Sequence, residues 1–199
     1  MKNNTNITKY KYLSGIYDAF FRPFFTGARK KAFQMISPNT GDKVLLAGVG
    51  TGLDLNYFTA GVDVTGIDIS EDMLKKAEEK NKTLNAKLKI MNAEQLLFDN
   101  GTFDYVVLNL ILSVVENPKK AMAEAVRVLK PGGTMLIWDK FMAKGRLSPV
   151  RKILNKITSF IGTDITRVFE DIAQGQNITV VSDKGVMMGK NYRVILVKK

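Results

Sequence analysis

The sequence predicts an α/β fold with parallel strands, because several segments show the patterns of buried strands. Residues 43–47 (KVLLA) are an apolar run that ends in closely spaced glycines, which is typical of a strand entering a tight turn before a helix. A second strand is predicted at 63–67, and residues 103–109 (FDYVVLN) are almost continuously apolar, as expected for a strand buried in a parallel sheet. With 199 residues and 45% apolar content, the chain is predicted to form one domain with a substantial core.

The other elements follow from periodicity and capping signals. Helices are predicted at residues 8–21, 26–36, 51–58, 71–84, 117–130, 147–161 and 165–173. Ser70 is the expected N-cap of the helix at 71–84. Pro131 is predicted to end the helix at 117–130, because a proline disfavours helical geometry at the preceding residue. The two glycines that follow are predicted to reverse the chain into a strand at 134–139. Residues 177–183 and 191–199 read as a closing antiparallel pair.

The glycine turn GVGTG at residues 48–52 is the most informative motif. Glycines there let the backbone approach a ligand closely, and a helix beginning after them would offer free N–H groups. Asp68 lies twenty positions after Gly48 at the tip of the second strand, which suits a bidentate grip on a ribose diol. The dinucleotide fingerprint GxGxxG fails at Leu53, which favours a smaller adenosyl group over a pyrophosphate. A purely structural turn is the alternative interpretation.

A polar triplet follows the short predicted strand KIM at 89–91. Asn92, Ala93 and Glu94 come directly after this short strand, where they could reach the edge of an adenine ring. The alternative is a plain turn from strand to loop. Together with Asp68 and the glycine turn, the triplet predicts an adenosine-containing cofactor.

The series GVGTG, GIDIS, NAE, FDYVVLNLIL and VLKPGG resembles the class I S-adenosylmethionine-dependent methyltransferases over residues 41–141. The resemblance implies a Rossmann-like, doubly wound sheet of seven strands, mostly parallel with an antiparallel last strand, with helices on both faces. It also implies S-adenosyl-L-methionine as cofactor. Its predicted binding residues are Gly48, Gly50, Thr51 and Gly52 in the turn beneath the methionine part, Asp68 at the ribose, Ile69 against adenine, Asn92 and Ala93 at the adenine edge, and Asn109 and Leu110 near the reacting methyl.

Two positions depart from the family pattern. Many members carry an acidic residue two positions before the first glycine, where it helps to hold the methionine amino group, but this chain has Leu46. Many also have aspartate at the position of Asn92. These departures bear on the affinity for the cofactor more than on its identity.

The charge distribution separates the core from its flanks. Of the net charge of +11, residues 1–40 carry +6 and residues 142–199 carry +7, whereas residues 41–141 carry −2. The flanks are therefore predicted to meet something anionic, such as a phospholipid surface, a nucleic acid or an acidic metabolite. A merely solvated basic surface is the alternative. The predicted organisation is one methyltransferase domain comprising a helical lid (1–40), a cofactor-binding core (41–141), a basic helical insertion (142–175) and a closing strand pair (176–199).

The sequence has no histidine and no cysteine, which excludes a histidine base and a thiolate or histidine metal site. Methyl transfer needs a base only if the acceptor arrives protonated, and the candidates are Tyr17 in the lid and Asp139 at the end of its strand. We expect Tyr17 to lie over the methionine end of the cofactor. We expect Arg29 to pair with the carboxylate of that methionine part. The alternative interpretations are a packed aromatic for Tyr17, a solvated strand-end charge for Asp139 and a solvated basic residue for Arg29.

The acceptor is predicted from a narrower resemblance. The segments YDAFFRPFFTGARKKAF, GVGTGLDL, LNLILSVV and WDKF are most similar to small bacterial phospholipid N-methyltransferases and quinone-ring methyltransferases. This similarity implies a small-molecule or lipid acceptor, with amphipathic segments 8–21 and 147–161 docking on an anionic membrane. The alternatives are an RNA methyltransferase and a cofactor-binding protein without catalytic activity. No segment resembles a membrane span or a secretory signal, so a cytoplasmic protein is expected.

Overall fold

The computed structural model describes residues 25–143, 155, 163–187 and 191–199. These residues contain a seven-stranded sheet. Its strands are β1 (Lys43–Ala47), β2 (Asp63–Asp68), β3 (Lys87–Ile90), β4 (Phe103–Asn109), β5 (Leu129–Lys140), β6 (Thr179–Met187) and β7 (Tyr192–Lys198). The spatial order is β3-β2-β1-β4-β5-β7-β6. All neighbours from β3 to β5 are parallel, and β7 is antiparallel to both β5 and β6, which confirms the predicted fold class.

The strand order reverses between β1 and β4, and this reversal positions the site. From β1 the chain builds outward through β2 and β3, then returns to place β4 on the other side of β1. Open α/β sheets bind ligands in the crevice at the carboxyl ends of the strands beside such a reversal. The glycine turn that follows β1 therefore lies at the expected binding edge.

Helices cover both faces of the sheet. Those whose course the described residues show are α1 (described over residues 25–33), α2 (Glu71–Lys80), α3 (Pro118–Val128) and α4 (Phe169–Ala173). Ser70 Oγ accepts the Met73 N–H at 3.4 Å, which confirms its predicted role as the N-cap of α2. No helix in the described part of the chain is both long and apolar enough to cross a bilayer.

Two apolar layers bury the sheet. Along β1, Leu45 packs into the layer that contains α3, whereas Leu46 packs into the layer that contains α1 and α2. This alternation follows from the two-residue period of a strand, and both side chains are almost completely buried. Leu46 therefore lies on the same side of the sheet as α1.

The predicted helix at residues 51–58 is wrong. Gly50 and Gly52 have φ angles of 55° and 79°, and this left-handed conformation interrupts a right-handed helix. Only a single 3₁₀ turn forms, at Leu55–Tyr57. The turn after β1 is therefore a loop rather than a helix N-terminus.

Several element boundaries differ from the predicted ones, and two of them are helix ends. Helix α2 ends at Lys80 because the side chain of Asn81 accepts from Ala86 N and donates to Ala86 O, both at 2.7 Å. Helix α3 ends at Val128, before Pro131 can act, because the backbone becomes extended at Leu129. The predicted helix at 8–21 lies outside the described residues, as does the helix at 147–161 apart from residue 155.

Candidate functional site

A cleft opens at the carboxyl ends of β1, β2 and β4. Its empty space is about 1000 Å³, including the part open to solvent. With the exception of Gly52, all residues predicted to bind the cofactor line this cleft. They are Arg29, Gly48, Gly50, Thr51, Asp68, Ile69, Asn92, Ala93, Asn109 and Leu110. The fold thus brings together side chains that are far apart in sequence, while their roles toward a ligand stay predictions.

The glycine turn shapes one wall of the cleft. The N–H groups of Gly48 and Val49 both donate to Ile67 O at 2.8 Å, which anchors the turn to β2. A Cβ on Gly48 would lie 2.8 Å from Cδ1 of Ile111, so only glycine lets this apolar side chain close over the turn. A Cβ on Gly50 would meet nothing within 4 Å. Gly50 therefore leaves space for a ligand beside the backbone.

Gly52 has a different environment. It does not line the cleft, and a Cβ there would lie 2.8 Å from the Cα of Ala77 in α2. Gly52 therefore permits close packing between the turn and α2. Its contact with the cofactor stays a prediction that this geometry does not favour.

Asp68 connects the tip of β2 to the glycine turn. Its Oδ2 accepts the Gly50 N–H at 2.9 Å, and its Oδ1 accepts the Ser70 N–H at 2.9 Å. Burial raises the pKa of this carboxyl, while the N–H groups of Ser70, Gly50 and Ile69 oppose the rise. Each carboxylate oxygen retains acceptor capacity, so the group can also receive hydroxyl donors from the cleft.

Of the triplet Asn92, Ala93 and Glu94 after β3, only Glu94 does not line the cleft. Asn92 Oδ1 accepts the Glu94 N–H at 2.9 Å, which forms a local turn that fixes the Asn92 side chain at the cleft wall. Glu94 instead accepts the Glu116 N–H at 2.9 Å and does not line the cleft. Asn92 and Ala93 thus face the space predicted for adenine.

Arg29 is buried, so its alternative interpretation as a solvated charge is wrong. Its Nε lies 2.7 Å from Oδ1 of Asp54, and their side chains are only 11% and 7% exposed. Asn109 Nδ2 donates to Oδ2 of Asp54 at 2.5 Å. Burial raises the pKa of Asp54, against the opposing effects of Arg29 and Asn109. The Arg29 guanidinium also lies 5.5 Å from the centre of the Trp138 ring.

Sequence reasoning missed Asp54 and most of the apolar wall. The missed lining residues are Val49, Leu53, Asp54, Met73, Met91, Ile111, Val114 and Val115. A carboxylate two residues after the glycine turn, between two leucines, was the available signal for Asp54. The run LNLILSVV was the signal for the apolar wall, because it continues apolar beyond the end of β4.

The wall segment after β4 is strained and held from behind. Leu110 has a φ of 54°, which is unfavourable for a residue with a branched side chain and typical of functional sites. Its N–H donates to Trp138 O at 2.7 Å. Behind the wall, the guanidinium of Arg167 donates to the carbonyls of Leu112 and Val115. These contacts fix the backbone that carries the apolar lining.

Asp139 does not line the cleft. Its side chain is fully buried, and it accepts the N–H groups of Ser113 at 2.9 Å and Lys140 at 2.7 Å. The alternative interpretation as a solvated strand-end charge is therefore wrong. Burial raises the pKa of this carboxyl. Its role as a base stays a prediction, and Tyr17, the other candidate, lies outside the described residues.

Comparisons with known proteins agree with this architecture. Residues 45–137 match a family model described as a methyltransferase domain. A phosphatidylethanolamine N-methyltransferase from Cereibacter sphaeroides is 33% identical over 179 residues, covering 87% of this chain and 88% of that protein. A demethylmenaquinone methyltransferase from Tropheryma whipplei is 32% identical over 143 residues, or 68% and 59% of the two chains. A SAM-dependent methyltransferase structure from Thermotoga maritima superposes with a TM-score of 0.73 at 18% identity, covering 96% and 99%.

Proposed function

The chain belongs to the class I S-adenosylmethionine-dependent methyltransferases, and from this premise we propose that its acceptor is the amine of a phospholipid at an anionic membrane surface. The observation that carries the proposal is the 33% identity to a phosphatidylethanolamine N-methyltransferase, which extends over 88% of that protein. Such coverage includes the flanks around the cofactor core, where acceptor selection is expected.

The charge distribution supports a membrane surface as the place of reaction. The flanks carry the entire positive excess, while residues 41–141 are slightly acidic. On α1, Lys30 and Lys31 are exposed, whereas Arg29 beside them is turned inward. Each lysine or arginine near an anionic surface contributes about 1 kcal/mol of attraction, so a few such residues would give reversible docking.

The cleft fits an adenosyl cofactor, because an accepting carboxylate, an open glycine turn and an apolar slot lie side by side. S-adenosylmethionine would supply a methyl group that its sulfonium activates for in-line transfer to the acceptor, with the thioether of S-adenosylhomocysteine as the leaving group. In our proposal Asp68 binds the ribose hydroxyls, and Ile69, Asn92 and Ala93 surround the adenine. Arg29 pairs with the carboxylate of the methionine part, and Asn109 and Leu110 border the reacting methyl. The apolar wall excludes water from this region.

A protonated lipid amine must lose its proton before it can attack. Tyr17 and Asp139 are the proposed acceptors of that proton. The raised pKa of Asp139 suits such a role, but its buried side chain would require either rearrangement or an intervening group to reach the acceptor. Tyr17 is proposed to lie over the methionine end, where its phenolate could accept the proton directly.

A quinone ring is the second candidate acceptor, since the chain is 32% identical to a demethylmenaquinone methyltransferase. Because the matched region is 59% of that relative, we rank the phospholipid first. The two candidates differ in the atom methylated, which is nitrogen in a lipid amine and carbon in a quinone ring.

The test is a methyl-transfer assay with labelled S-adenosylmethionine and vesicles of phosphatidylethanolamine with phosphatidylglycerol. We expect mass spectrometry to find N-methylated headgroups, and we expect no labelled lipid with phosphatidylcholine in place of phosphatidylethanolamine. Label in demethylmenaquinone or RNA instead of the amine lipid would overturn the proposed acceptor. Cofactor binding without label in any of these acceptors would favour the catalytically silent alternative.

A further inference from the structure

Among the described residues, the buried side-chain polar atoms that lack a hydrogen-bond partner all belong to one cluster beside the cleft. They are Nε of Arg29, Oδ1 of Asp54, Oδ1 of Asn109 and Nε1 of Trp138. Buried polar atoms without partners are rare in folded proteins and point to a missing ligand or water. Arg29, Asp54 and Asn109 line the cleft, whereas Trp138 does not.

The cluster combines one cation with two acceptors. Arg29 Nε lies 2.7 Å from Asp54 Oδ1, a close ionic contact that is not an aligned hydrogen bond. Asn109 uses its amide nitrogen to donate to the other oxygen of Asp54, which leaves its own Oδ1 without a donor. A ligand that brings a cationic donor to the two oxygens and an anion to the guanidinium would satisfy all three side chains.

Charge balance decides what kind of ligand that is. Arg29 and Asp54 cancel each other, so the buried site has no net charge. A lone ammonium, such as a lipid amine, would add an uncompensated charge at a buried position, which is costly. A zwitterionic α-amino-acid group adds none, because its ammonium and carboxylate cancel as well. The site therefore selects a zwitterion over a simple amine.

We propose that Asp54, with Oδ1 of Asn109, binds the ammonium of the methionine part of S-adenosylmethionine and supplies the carboxylate that the chain lacks at Leu46. Leu46 is 2% exposed and packs in the same apolar layer as Trp138, and the Trp138 ring lies against the Arg29 guanidinium that pairs with Asp54. The acidic group has thus moved from the end of β1 to the turn after it, on the same side of the sheet.

The test uses calorimetry with three ligands and no acceptor, so its outcome is independent of the proposed acceptor. S-adenosylhomocysteine carries the complete amino-acid group, S-adenosyl-3-thiopropylamine lacks its carboxylate, and 5′-methylthioadenosine lacks the whole group. Because hydrogen bonds to charged groups are involved, the wild-type protein should bind S-adenosylhomocysteine ~100-fold more tightly than 5′-methylthioadenosine. The thiopropylamine should also bind more weakly than S-adenosylhomocysteine, since it brings no carboxylate to Arg29 and adds an uncompensated positive charge.

Asp54→Asn keeps the side-chain shape and removes the charge. We expect it to weaken S-adenosylhomocysteine ~10–100-fold and 5′-methylthioadenosine less than about twofold. Asp63→Asn, which removes an exposed carboxylate paired with Lys87, is the matched control and should change neither affinity. Equal weakening of both ligands in a folded Asp54→Asn protein would overturn the proposal. If that variant fails to fold, the wild-type ligand series decides, and equal affinity for S-adenosylhomocysteine and 5′-methylthioadenosine would overturn it.

Discussion

The backbone N–H of Gly50 donates to Oδ2 of Asp68 across 2.9 Å, so the glycine turn and the tip of β2 form one hydrogen-bonded unit. The other oxygen of Asp68 holds the Ser70 N–H, which couples the same carboxylate to the start of α2. The carboxylate predicted to bind the ribose is therefore positioned by backbone donors on both sides. Pre-positioning of this kind lowers the entropy lost when a ligand binds.

Asp68→Asn is predicted to weaken S-adenosylhomocysteine binding by ~10–100-fold, because a neutral amide replaces a charged acceptor. One of its two backbone contacts is also lost, since the amide nitrogen cannot accept from Gly50 or Ser70. Calorimetric titration measures the affinity, and thermal unfolding shows whether the variant is folded. Unchanged affinity in a folded variant would contradict the ribose assignment.

Gly50→Ala and Gly52→Ala are predicted to fail in different ways. Both glycines have left-handed φ angles, so each alanine costs about 1–2 kcal/mol in the backbone. Gly52→Ala adds a clash with Ala77 at 2.8 Å and should lower the free energy of unfolding by about 3 kcal/mol in total. Gly50→Ala meets no protein atom, and it should mainly reduce cofactor affinity.

Denaturant unfolding and calorimetry together separate these two effects. A Gly50→Ala protein with wild-type affinity for S-adenosylhomocysteine would show that the ligand does not approach this backbone. A Gly52→Ala protein with wild-type stability would show that α2 can move away from the turn.

Local sequence patterns were enough to locate the strands, but they did not predict the backbone conformation after β1 or the role of Asp54. The bounds of β4 were predicted correctly because a continuous apolar run leaves little choice for a buried parallel strand. The helix at 51–58 was predicted because a strand ending in closely spaced glycines typically turns into a helix, but the left-handed glycines keep this segment in a loop with a single 3₁₀ turn. Asp54 was missed because its importance depends on Arg29 and Asn109, which reach it only after the chain has folded.

Arg167 is predicted to hold the apolar wall of the cleft from behind. Its guanidinium donates hydrogen bonds to two carbonyls of the segment after β4. A lysine cannot donate to both carbonyls with the same geometry. We expect Arg167→Lys to lower the free energy of unfolding by about 1–2 kcal/mol, and Arg167→Ala by about 2–4 kcal/mol. Thermal or denaturant unfolding tests this order. Equal stability of all three proteins would show that the wall does not depend on these contacts.

Lys30 and Lys31 are predicted to contribute to membrane docking from the exposed side of α1. Replacing both with glutamate should reduce binding to phosphatidylglycerol vesicles by at least ~10-fold, because each lysine near the surface contributes about 1 kcal/mol. The same exchange at Lys119 and Lys120, exposed on α3 across the sheet, changes the net charge equally and should have a smaller effect. Vesicle co-sedimentation at two salt concentrations measures this difference. Equal losses in both variants would indicate nonspecific attraction rather than a docking face.

Asp139→Asn is predicted to alter how stability depends on pH. Burial raises the pKa of Asp139 in the folded protein above its value in the unfolded chain, so the folded state binds this proton more tightly. Its contribution to stability is therefore fully present below about pH 4, near the unfolded value, and is lost as the pH rises through the folded pKa. Asn cannot ionise, so the Asp139→Asn variant lacks this loss of stability with rising pH. Its side chain can accept only one of the two N–H groups, through the carbonyl oxygen.

Denaturant unfolding between pH 4 and pH 8 measures this dependence. We expect the wild-type protein to lose more stability across the range than the Asp139→Asn variant, whereas Asp63→Asn, at an exposed ion pair, should follow the wild type. Parallel curves for the wild type and Asp139→Asn would mean that the carboxyl at position 139 titrates alike in the folded and unfolded states. In that case its burial would not prepare it to take a proton from the acceptor amine.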